Sequence, residues 1–208
     1  MSIEQVVFHV ANALRVPVLI LALLALAVVL IELGALVVEL ARRRRRDTAR
    51  LERAAVAART ALSGDDSDSG AAARELHGAA TTSALSRAYS QLVAMAAAPG
   101  AEPRMAKRLA DFDLRSLQRL ERTRLLVRAG PALGLMGTLI PLSPALAGLA
   151  RGDVTRLTDN LRVAFSVTVL GLLIGAVAFG ISLVRDRLYA QDLSDLEFVA
   201  ALLEERPA

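Results

Sequence analysis

The 208-residue chain has no cysteine, no tryptophan and only 3% aromatic residues. Without cysteine there is no disulfide, no thiolate-bound zinc and no thiol nucleophile, and cysteine usage gives no clue to the compartment. Without tryptophan, no Trp belt marks a membrane interface. A soluble core of this size would normally use more Phe, Tyr and Trp. Hydrophobic residues nevertheless make up 54% of the chain, dominated by Ala, Leu and Val, and the mean hydropathy is +0.46. The chain therefore reads as helical, and its long apolar runs point to a membrane. Formal net charge is +4, carried almost wholly by arginine. These arginines cluster beside apolar runs, a pattern that sets membrane topology and does not require nucleic acid.

Three runs are long enough to cross a hydrocarbon core of about 30 Å as helices. They are Val16 to Leu40, interrupted by Glu32 and Glu39; Pro131 to Ala150, preceded by Arg128; and Leu161 to Val184, with Arg162 near its start. The first is too long for a signal-peptide core, and its positive cluster follows it. Arg42, Arg43, Arg44, Arg45 and Arg46 come after span one; Arg122, Arg124 and Arg128 come before span two; Arg185 and Arg187 come after span three. Alternating spans put all three groups on one side, which the positive-inside rule makes cytoplasmic. The expected order is an external N-terminus (1–15), span one (16–40), a cytoplasmic helical insert (41–127), span two (128–150), a short external loop (151–160), span three (161–184) and a cytoplasmic C-terminal helix (185–208). The fold class is an all-α integral membrane protein, three transmembrane helices with long cytoplasmic helical extensions. The arginine run also suits anionic lipid headgroups.

Within the insert, helices are expected over about 42–62, about 71–97 and from near Arg104 onward, broken at "SGDDSDSG" and "PGAEP". Asp65, Asp66 and Asp68 resemble a calcium loop only in spacing, because the required downstream glutamate is missing. His9 precedes span one and His77 lies in the insert, so they cannot form a joint metal site and read as surface residues. No cofactor or metal is called for.

Lipid-embedded helices gain nothing by hiding apolar surface from water, so they associate through small residues that allow close approach. Span two places Gly130, Gly134, Gly137, Pro141, Ala145 and Gly148 on one face; span three does the same with Ala164, Thr168, Gly171, Gly175, Ala178 and Ser182. Spans two and three should form a close pair, or each should pack on a neighbouring subunit. Thr138, Thr168, Ser166, Ser143 and Ser182 are the polar side chains of these spans. Their hydroxyls either bond back to their own helix or face another helix or a lumen. Pro141 and Pro144 free carbonyls one turn earlier, giving a kink or an opened backbone beside an ion path. Pro131 would mark a change of direction at membrane entry. Glu32 either reaches the headgroups or pairs with Arg128, or acts as a second titratable site or latch.

Pro131, Gly134, Leu135, Gly137 and Thr138, a short loop, then Thr168, Gly171 and Leu172 resemble the MotA/TolQ/ExbB proton-channel family over roughly residues 125–190. The three-span order with an insert after span one is similar to TolQ and ExbB. The resemblance implies a ring, typically a pentamer, around single-span partners of the ExbD/TolR/MotB type in a bacterial or archaeal cytoplasmic membrane. It implies that a partner's membrane aspartate carries the proton, with Thr138 and Thr168 facing it, Ser166 and Pro141 beside the path, and Gly130, Gly134, Gly137, Gly171 and Gly175 packing the helices. TolQ and ExbB carry a glutamate five residues before the second threonine, where this chain has Val163; the MotA branch lacks it too. Spans two and three hold no carboxylate or histidine. A proton relay needs titratable groups, so the ion must use a partner's carboxylate or Glu32. The expected function is a channel subunit of a proton- or sodium-driven motor. The alternatives are a non-conducting oligomeric scaffold, a permease, for which polar groups are too few, and an enzyme, for which no nucleophile–base constellation is visible.

Overall fold

A computed structural model describes residues 3–43, 48–63, 68–96, 98 and 100–205. Every regular element among them is an α-helix, in the order α1 (Ile3–Ala13), α2 (Arg15–Arg43), α3 (Thr48–Ser63), α4 (Ser69–Ala79), α5 (Ser83–Ala96), α6 (Ala101–Leu149) and α7 (Val154–Glu204). The fold is all-α, and α2, α6 and α7 are each long and apolar enough to cross a membrane. Of their most apolar stretches only 17%, 28% and 33% is buried within the chain. Leu23, Ile31, Leu139, Val169 and Leu172, among others, are exposed. Apolar surface left bare on this scale is stable only against lipid or another subunit.

The chain divides into two compact units, residues 1–36 with 120–184 and residues 37–119 with 185–208. In the first, α2 turns one stripe inward, Val18, Ala22, Ala25, Val29 and Leu36, at helical spacing. Val18, Ala25 and Val29 pack with Leu133 of α6 and with Ile174 and Ala178 of α7. At one end the Arg15 guanidinium donates to the Asn160 side-chain carbonyl over 3.1 Å, tying α2 to α7.

The expected ten-residue loop between spans two and three is shorter. Asp153 accepts from the Arg156 backbone N–H over 3.1 Å and caps α7 there, so most of 151–160 is helix. Gly152 makes the reversal at φ +77°, a left-handed conformation that suits glycine. Most of the N-terminal stretch is helix, since α1 fills it from Ile3 to Ala13. Pro131, Pro141 and Pro144 all lie inside α6, which continues through them.

The second unit has its own core. Leu51, Ala55 and Ala58 of α3, Leu76 of α4, and Leu85, Tyr89 and Leu92 of α5 pack with Met105 of α6 and with Leu196 and Val199 of α7. The single helix expected over 71–97 is two helices. "TTS" interrupts it: the Thr82 hydroxyl accepts from the Leu85 N–H over 3.2 Å, a helix start in mid-segment. Asp68 serves α4 in the same way, its Oδ1 accepting from Gly70 N at 2.8 Å and Ala71 N at 3.0 Å. That gives this aspartate a capping role; Asp65 and Asp66 lie outside the described residues. His77 is exposed, as expected of a surface residue, and hydrogen-bonds Ser86, which joins α4 to α5.

Candidate functional site: the α6–α7 pair

Spans two and three approach through glycine. A methyl group built on Gly171 would lie 2.5 Å from the Gly130 carbonyl oxygen and 2.7 Å from both N and Cα of Gly134. One on Gly130 would lie 2.7 Å from the Gly171 oxygen and 2.8 Å from Gly175 N. These are backbone atoms and cannot rotate away, so a glycine on one helix is matched by glycine on the other. Gly134 is met by Thr168, and Gly137 is covered by the Val167 side chain. Pro131 has a packing task instead of marking a change of direction: its ring sits where a Gly175 side chain would be, with Cδ 2.9 Å from that point. Both glycine faces are consumed inside one chain. Close backbone approach is how helices gain van der Waals contact when lipid removes the hydrophobic driving force.

Thr168 sits in this seam. Its hydroxyl lies 3.2 Å from the Ala164 oxygen and 3.3 Å from the Gly134 oxygen, donating one hydrogen between its own helix and α6. Thr138 is half-buried and donates to the Leu135 oxygen over 2.8 Å. Ser166 is exposed and donates to the Arg162 oxygen over 2.8 Å. Both spend their hydrogen on their own helix, leaving lone pairs that can accept from outside. Ser182 is buried and bonds the Phe179 oxygen. Pro141 is buried, lining a narrow apolar crevice with Arg15, Val18, Leu19, Gly137 and Val163. That crevice sets Pro141 beside Arg15, Val18 and Leu19 of α2 in the same chain. Val163, where TolQ and ExbB carry glutamate, lines the same crevice. Glu32 is half-buried and Arg128 exposed.

Arg43 requires a correction. It was expected among lipid-facing arginines, but it is buried. Its guanidinium grips Asp192 of α7 in a bidentate pair at 2.6 and 2.7 Å and also binds Glu39, one turn back on α2, at 2.9 Å. Burial works against the Arg43 charge, but the bonds and charge of Asp192, then Glu39, outweigh it and raise its pKa. Burial raises Asp192, and Arg43 opposes that rise. Such a pair holds only when both ions are satisfied together. The Glu39–Arg43 spacing of four is legible in the sequence; Asp192, 149 residues from Arg43, is not. Arg42 is exposed, while Arg44, Arg45 and Arg46 lie outside the described residues.

The geometry thus defines a multi-pass membrane protein whose last two spans form a glycine-matched pair seamed by a threonine. The model of the MotA/TolQ/ExbB proton channel family matches residues 71–197, more than half of the chain. The chain belongs to that family, whose role is in channels and transport. No curated protein and no solved structure matches it.

Proposed function

We propose that the chain is the ring-forming channel subunit of an ion-driven motor, working with a single-span ExbD/TolR/MotB-like partner. One observation carries this reading. The spans that pair most closely supply hydroxyls but no titratable carboxylate or histidine, so a charge carrier must come from outside this pair, from Glu32 of span one or from a partner's carboxylate, and the partner is the source taken here. Thr138 and Ser166 keep accepting lone pairs at or near the chain surface, and Thr168 holds its hydroxyl in the helix seam. In this reading the ring is a pentamer in a bacterial or archaeal cytoplasmic membrane, with the N-terminus outside and the arginine-flanked ends inside. Proton is the favoured ion. With valine at 163 no carboxylate from this chain competes with the partner's aspartate there. Glu32, if it pairs with Arg128, would latch span one to span two.

A scaffold held together by the small-residue stripes has less support, because those stripes are occupied within one chain. Native mass spectrometry of the chain co-expressed with a single-span partner is expected to give five copies around two partner helices. A monomer or dimer in both lipid and mild detergent would overturn the reading. Reconstituted with that partner, Thr138→Ala should abolish proton uptake into liposomes while keeping the same copy number. Uptake at the wild-type rate would remove Thr138 from the path.

A further inference from the structure

The second unit carries a groove that the channel reading does not use. It has a volume of about 220 Å³ and is walled by Arg87 of α5 and by Arg108, Phe112, Arg115 and Arg119 of α6. Arg108, Arg115 and Arg119 are seven and four residues apart, which places them on one stripe of α6. A second hollow of about 190 Å³ shares Arg87, Phe112 and Arg119 with it, and there Glu39, Arg43 and Asp192 satisfy one another. The first groove has no such balance. Among the described residues, Arg87, Arg108 and Arg115 form no ion pair, and Asp111, whose charge acts on Arg108, is held by Lys107. The Arg108 Nε is buried with no hydrogen-bond partner. Burial, then the charges of Arg115 and Arg87, hold that guanidinium below its usual range, with Asp111 only partly opposing them.

Packing arginines together without a counter-ion costs free energy that an anion would recover. Guanidinium forks bind phosphate bidentately, and an unpartnered Nε is a donor waiting for an acceptor. We propose that this groove binds a phosphate-bearing anion carrying more than one negative charge or held by more than one arginine. Phe112 gives it an apolar side wall. The same chemistry fits a soluble polyphosphate or the headgroup of an anionic lipid.

The test uses the full chain in phosphatidylcholine nanodiscs. Inorganic pyrophosphate is titrated calorimetrically at low salt, and phosphatidylglycerol retained on purification from mixed-lipid discs is counted by native mass spectrometry. Binding of pyrophosphate identifies a soluble source; selective retention of phosphatidylglycerol without pyrophosphate binding identifies a lipid. In either arm, Arg108→Gln with Arg115→Gln should weaken binding at least tenfold, and Arg74→Gln on α4 should not. Arg115 is exposed, so Arg115→Gln alone serves if the double variant loses its helical melting transition. The proposal is overturned if neither probe binds, or if the groove variants bind as tightly as wild type. It is also overturned if only a polyglutamate peptide binds, which would make the groove a protein contact.

Discussion

Gly171→Ala adds one methyl group at the tightest backbone approach of the helix pair. That carbon would stand 2.5 Å from the Gly130 oxygen and 2.7 Å from two Gly134 backbone atoms. Ordinary contact begins near about 3.5 Å, so α6 and α7 must separate by roughly 1 Å. Separation loosens Gly130 and Gly134 against α7 and stretches the Thr168–Gly134 bond, already 3.3 Å long. Overpacking of this kind costs about 1–3 kcal/mol, and the interhelical hydrogen bond adds about 0.6 kcal/mol. Against this stands the gain from replacing a mid-helix glycine by alanine, about 1 kcal/mol in water. The expected net loss is about 0.6–2.6 kcal/mol, from the sum of those terms. Gly34 and Gly180 are the controls, since a methyl on either meets nothing within 4 Å. Thermal unfolding in nanodiscs, followed by circular dichroism and by loss of the monodisperse peak, should rank Gly171→Ala well below Gly34→Ala and Gly180→Ala. If all three melt together, the glycine faces do not meet as described and the argument fails.

Asp192→Ala strands the buried Arg43 with Glu39 alone. A loss of about 3–5 kcal/mol is expected, and the Arg43→Met, Asp192→Leu double variant should recover most of it in the same melting assay. A double variant no better than Asp192→Ala would show that the pair is not the reason. Thr168→Val keeps shape and removes the hydroxyl, so the melting transition should fall by the equivalent of about 0.6 kcal/mol, at most about 1.7; a larger drop would mean the hydroxyl has partners beyond Gly134 and Ala164. Thr82→Ala and Asp68→Ala each remove a helix N-cap and should cost about 1 kcal/mol apiece. Hydrogen exchange of the first turns of α5 and α4, respectively, should rise, and unchanged exchange would count against the capping geometry.

The sequence by itself determined the class. Three apolar runs, arginines at their ends and the Pro131–Thr138 and Thr168–Leu172 patterns led to an all-helical membrane chain and to its family, and the fold and the family match agree. Hydropathy and helical period are local properties, carried by residues a few positions apart, so they survive without a structure. The small-residue stripes were visible for the same reason, but the choice between each other and a neighbouring subunit was not. Only the tertiary structure decided that Gly130 and Gly134 meet Gly171 and Thr168 of their own chain, because a stripe states that a helix can come close and not which one does. It also set Pro141 in a crevice with α2 residues and took Arg43 from the lipid to Asp192. Long-range choices of this kind depend on which faces compete for the same space, and residues 149 positions apart leave no mark on each other's local pattern. The arginine groove on α5 and α6 belongs with them: the seven-and-four spacing on α6 is legible, while Arg87 opposite and the lack of an ion pair for these arginines among the described residues emerge only when the helices pack.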